Sequence, residues 1–151
     1  MMKKSMKLAF GATLLEIMLV LAIAAMVIVM SIRFYKSASS SQNANSILSQ
    51  IQAITAAADS LAQGSNGSYT AVTQAGILNI IGAKNNVTAY GNIAIANGAA
   101  TTYTVTLPAI PADVCTLLSQ QLKSNTRYTN VTTCAASPAT TALKYTYDST
   151  K

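Results

Sequence analysis

Residues 8–32 read LAFGATLLEIMLVLAIAAMVIVMSI, 25 residues whose only charge is Glu16. From Ile17 to Met30 every residue is apolar. A helix rises about 1.5 Å per residue, so about 20 such residues cross the hydrocarbon core of a bilayer. Lys3, Lys4 and Lys7 stand before the stretch. Positive charge on that side predicts that Met1 stays cytoplasmic while the rest of the chain crosses.

Three readings of this stretch compete. One is a secretory signal peptide, with the three lysines as its basic region and Ala22-Ile23-Ala24 as a small-residue cleavage site. Glu16 would then fall inside the apolar region, and the apolar run continues eight residues past Ala24. A plain membrane anchor explains the length but not Glu16. A carboxylate at helix centre costs about 2.5–3.5 kcal/mol on insertion, so it asks for a partner. The third reading, a resemblance carried by residues 11–16, supplies that partner.

The stretch Gly11-Ala12-Thr13-Leu14-Leu15-Glu16 resembles the prepilin cleavage motif of the type IV pilins and related pseudopilins. The resemblance implies cleavage after Gly11 by a prepilin peptidase, methylation of the new Ala12 amine, and an assembly role for Glu16 as the fifth mature residue. The implied cut would leave an ammonium on Ala12 and a carboxylate four residues on, so the Glu16 of one copy could neutralise the Ala12 amine of a neighbour in an apolar medium. It implies three parts: a leader at 1–11, a transmembrane and assembly half-helix at 12–35, and a periplasmic or extracellular globular domain at 36–151. No Gly or Pro stands between Ala12 and Gln63.

Beyond the span, Arg33 and Lys36 flank Phe34 and Tyr35, aromatics suited to a membrane interface. Ala44, Ile47, Ile51, Ile54, Ala58 and Leu61 then recur at steps of three and four, an apolar helical seam. The e and g positions lack the Glu/Lys pairs of a coiled coil, so the seam is expected to dock on its own sheet. Gly64 reads as the helix stop. A short helix is predicted over 73–81, strands over 91–96 and 101–107 about an Asn97-Gly98 turn, and Pro108 and Pro111 as the end of the second strand. A helix over 114–123 follows, capped by Asp113, with Val114, Leu117, Leu118 and Leu122 on its buried side. A strand-like stretch ends at Cys134, and Leu143, Tyr145 and Tyr147 alternate in a last strand. The expected fold is α+β: a long N-terminal helix, membrane-spanning then amphipathic, packed on a small antiparallel sheet of three or four strands.

Cys115 and Cys134 are the only cysteines. Free thiols would suit the cytoplasm; a disulfide suits a domain exported across a membrane, and the span favours the bond. The segment from Tyr103 to Leu118, a strand feeding a Cys-bearing helix, is similar to the type IVb pilins, the subunits of thin conjugative, bundle-forming and toxin-coregulated pili. In that family a late disulfide bounds a region facing the fibre surface.

Composition excludes several functions. There is no His, so Ser-His-Asp and Cys-His nucleophiles are ruled out. Two Cys and four acidic residues leave too little for a zinc or di-metal site, and no cofactor is expected. Asp113 and Asp148, the late acids, are too few for a pseudopilin-like calcium loop. Ser119 and Lys123 have a Ser/Lys spacing but are expected on an exposed helix face. The net charge of +6 falls to +3 over residues 12–151, with no Lys/Arg stripe for nucleic acid. Ser, Thr, Asn and Gln supply 50 residues, a neutral hydrogen-bonding surface suited to packing against copies of itself.

The expectation is therefore a non-enzymatic pilin. It would reside in the inner membrane with its N-terminus cytoplasmic, then in an extracellular helical fibre of identical subunits. Its partners would be the peptidase, an inner-membrane assembly platform and the membrane itself. A minor or tip adhesin and a type II secretion pseudopilin are the alternatives.

Overall fold

The computed structural model describes residues 13–96, 98–134 and 140–151. The chain divides into two units, one up to Ala38 and one from Ser39 to Lys151. Helix α1 (Leu14–Gln63) begins in the first and ends in the second. Its residues up to Ala38 are all exposed.

In the second unit, α1 buries Ala44, Ile47, Ile51, Ile54, Ala57, Ala58 and Ala62, the expected seam with Leu61 only partly covered. Alanines at four of those seven positions let the helix approach the sheet closely. The helix stops at Gln63 as expected, but Gly64 is not its left-handed cap. Gly64 keeps an ordinary backbone, and Asn66 takes the left-handed conformation at φ 54°. The Gly67 N–H then bonds the Ala62 carbonyl at 2.8 Å, the six-to-one bond of a Schellman cap. Asn tolerates this conformation better than most side-chain-bearing residues.

A 3-10 turn at Tyr69–Ala71 leads to α2 (Gln74–Ile81). The Thr73 side chain caps α2 by accepting the Gly76 N–H at 3.1 Å. A second 3-10 turn, Ala83–Asn86, precedes the hairpin of β1 (Val87–Thr88) and β2 (Gly91–Asn92). The strand expected over 91–96 is thus broken at Ile93, and its second part, β3 (Ala94–Ala96), joins another sheet. Asn97, half of the expected turn, lies outside the described residues.

That sheet has four antiparallel strands in the order β3, β4 (Thr102–Pro111), β6 (Thr140–Asp148) and β5 (Tyr128–Thr129). Strand β4 does not stop at Pro108. Its register with β6 shifts between Thr106 and Ala109, so Pro108 sits at a bulge, where a residue without an N–H is tolerated. The bulge changes parity: Tyr103, Val105 and Leu107 face inward, then Ile110 does. Strand β5 is only two residues, because Asn130 turns left-handed at φ 51° immediately after it.

Helix α3 (Ala112–Lys123) follows β4 directly, with Pro111 as its N-cap residue and no side-chain cap; Asp113 lies in its first turn instead. It buries Val114, Cys115, Leu118, Ser119 and Leu122. Leu117, expected inward, is 36 % exposed. The seam of α1, the inner face of the sheet and α3 close over one hydrophobic core. The fold is α+β, a long N-terminal helix packed on a small antiparallel sheet, as the sequence led us to expect.

Candidate functional site

Residues 13–38 hold the most distinctive chemistry. The Thr13 carbonyl accepts the N–H of Glu16 at 2.9 Å and of Ile17 at 3.1 Å, which starts the helix. Glu16 therefore sits in the first turn, where the positive end of the helix dipole favours a carboxylate. Leu, Ile, Met, Val and Ala follow without a helix breaker to Met30. Leu14 and Leu15 are 77 % exposed and Met26 71 %, and every large apolar side chain of the segment is at least half exposed. The apolar surface runs all round the helix, the pattern of a membrane span or of a helix buried by partners. Ser31 donates to the Val27 carbonyl at 2.8 Å, so its hydroxyl is satisfied within the helix. Phe34 and Tyr35 are each 76 % exposed beside Arg33 and Lys36. One described helix, α1, is long and apolar enough to cross a membrane. Gly11 and Ala12, the expected processing residues, lie outside the described residues.

Cys115 and Cys134 are joined by a disulfide with Cα atoms 5.8 Å apart. Cys115 is buried in α3, and Cys134 packs half-buried against the core. The loop between them carries β5 and Asn130.

A polar cluster that our reading of the sequence missed ties α1 to the sheet. Tyr69 donates to Asp59 Oδ1 at 2.5 Å. Tyr103 donates to Thr55 Oγ1 at 3.3 Å, and Thr55 donates to the Ile51 carbonyl at 2.9 Å. Arg127 Nη1 donates to the Tyr147 hydroxyl at 3.2 Å. The rings of Tyr69, Tyr103 and Tyr147 pack with centroids 5.0–5.9 Å apart, and Tyr128 meets Tyr145 edge-on at 5.4 Å. Burial pushes the Tyr69 phenol up, and the Asp59 carboxylate pushes it further. Burial likewise raises Tyr103 and Tyr145. The hydrogen bond to Tyr147 holds the Arg127 guanidinium charged. One signal for this cluster was available: Asp59 is the only charged residue between Lys36 and Lys84.

Ser119 is not on an open face. It is 8 % exposed and donates to the Thr116 carbonyl at 3.0 Å, while Lys123 points to solvent. Burial of Ser119 follows from its place one residue after Leu118 and three before Leu122 on the same face. Among the described residues, no group of three His, Cys, Asp or Glu side chains could hold a metal ion. No protein-family model matches this chain, and neither a curated protein nor a solved structure matches it.

Proposed function

We propose that this chain is a type IV pilin-like subunit that polymerises through residues 12–35 into an extracellular helical fibre. Glu16 carries the reading. It is the only charge on a helix that is apolar and exposed on every side up to Ile32. A helix of that kind needs lipid or other helices around it, and its carboxylate needs a cation there. A prepilin peptidase cutting after Gly11 would create that cation on Ala12. The same helix would serve twice, as a bilayer anchor with a cytoplasmic N-terminus and then as the packed centre of the fibre. An inner-membrane assembly platform would transfer it between the two.

The globular unit would form the outer surface, with the Cys115–Cys134 disulfide bounding its C-terminal region. Its role is structural rather than catalytic. The resemblance of residues 103–118 favours the type IVb branch, and the small domain, poor in charged residues, favours a main fibre subunit over a tip adhesin or a secretion pseudopilin.

Mass spectrometry of the mature protein tests the reading. Cleavage between Gly11 and Ala12, with a methylated amine, is expected. A mature chain starting after Ala24 would identify an ordinary signal peptide and overturn the proposal.

A further inference from the structure

The turn that ends α1 is built on Asn66-Gly67, a pair able to react with its own backbone. In such a pair the glycine nitrogen, once deprotonated, attacks the asparagine side-chain carbon Cγ. A C–N bond forms, the bond from Cγ to the amide nitrogen breaks, and ammonia leaves. Water then opens the resulting succinimide ring at either carbonyl, giving aspartate or isoaspartate. Water is the only co-reactant, and this chemistry is one reason asparagine counts among the thermolabile residues. Glycine in second place leaves the attacking nitrogen unhindered, since it has no Cβ.

The surroundings of Asn66 favour the reaction. Asn66 and Gly67 are both exposed to water. No hydrogen bond holds the Asn66 side chain among the described residues. A Cβ placed on Gly67 would meet nothing within 4 Å, so the space beside it is open. One bond opposes all of this. The attacking nitrogen, that of Gly67, donates its hydrogen to the Ala62 carbonyl at 2.8 Å. Ala62 is buried, and its carbonyl also accepts the Ser65 N–H at 2.9 Å, so the last turn of α1 fixes the acceptor in place. A nitrogen held there is not free to lose its proton or to swing towards Cγ. We propose that Asn66 is a site of spontaneous deamidation gated by the cap of α1: the closed cap protects it, and each opening of the cap exposes it. The product undoes the cap. Isoaspartate adds a methylene to the main chain at the residue that makes the left-handed turn, and either product sets a carboxylate beside the negative end of the helix dipole. The inference stands independently of the fibre reading.

Hydrogen exchange at Gly67 requires the same opened N–H as the attack on Cγ, so the two rates share one opening equilibrium. The test uses the full chain in detergent micelles at mildly alkaline pH, folded and in urea. Peptide mapping with fragmentation reads the mass gain of amide-to-acid conversion at Asn66, and NMR reads exchange of the Gly67 amide. Deamidation at Asn66 should be about tenfold slower in the folded chain than in the unfolded one, the effect of a single hydrogen bond. The same factor should appear as exchange protection at Gly67. Asn66→Gly, which adopts the left-handed turn without strain, should keep Gly67 protected and remove the mass gain from this peptide. Equal deamidation rates in folded and unfolded chains overturn the gate, as does slowing without protection at Gly67. An unfolded chain that stays intact at Asn66, or a mass gain that persists in Asn66→Gly, overturns the site.

Discussion

The Tyr69 hydroxyl donates to Asp59 Oδ1 at 2.5 Å, joining the last turns of α1 to the segment that follows it. Asp59 is half-buried and Tyr69 is 6 % exposed. A hydrogen bond to a charged acceptor contributes about 1.5–3 kcal/mol. Tyr69→Phe should lower the unfolding free energy by about that amount, since it strands a partly desolvated carboxylate. Urea unfolding of the full chain in micelles, followed by tyrosine fluorescence, measures it. A loss as large in Tyr69→Phe when Asp59→Asn is already present would show that the two residues are not coupled.

The same cluster sets an alkaline limit. Tyr69, Tyr103 and Tyr145 all have folded-state pKa values raised above the unfolded value of about 10. The folded state therefore holds its phenolic protons when the unfolded state has begun to lose them. Their contribution is complete below pH of about 10 and is lost as pH rises beyond it. Stability should fall with pH in that window, with Tyr69, Tyr103 and Tyr145 ionising together with unfolding, read residue by residue by NMR. Ionisation of these three near pH 10 in a chain that stays folded would contradict this account.

Cys115→Ser with Cys134→Ser should cost about 3 kcal/mol, from the loop-closure entropy of a bond spanning 19 residues. The loss belongs to the single subunit, and packing in a fibre would mask part of it by mass action. Protease resistance of the detergent-solubilised monomer is the direct comparison. Equal resistance in the double variant would mean that the bond adds nothing.

Two isoleucines of α1 differ in burial. Ile54 is fully buried and Ile28 is 58 % exposed. Ile54→Ala should cost about 2–5 kcal/mol of unfolding free energy. Ile28→Ala should leave unfolding of the globular unit unchanged, because its side chain is exposed and belongs to the other unit. On the proposed fibre reading, Glu16→Ala should leave insertion and folding intact and abolish efficient fibre formation. Normal fibres from that variant, in cells with no wild-type copy, would remove Glu16 from the assembly mechanism.

Gly98→Ala should destabilise by about 1–3 kcal/mol through overpacking. A Cβ at Gly98 would run into the Tyr69 carbonyl, and the Gly98 N–H is tied to Val72. A melting temperature equal to wild type would show that the two backbones part easily.

What the sequence determined by itself was whatever depends on neighbours along the chain. The apolar run from Ile17 to Met30 names a helix, and the three-and-four spacing of Ala44 to Ala58 and the alternation of Leu143, Tyr145 and Tyr147 each name an element and its buried face. Periodicity is a local property, and a face apolar over several turns must be covered by something. Tertiary structure alone decided where distant segments meet. The bulge at Pro108 turns Ile110 inward only because β6 lies alongside. Asn66 rather than Gly64 takes the left-handed conformation that caps α1. Asp59 finds Tyr69, and Gln74 finds the Ile95 N–H, through contacts set by packing, which no spacing in the chain announces.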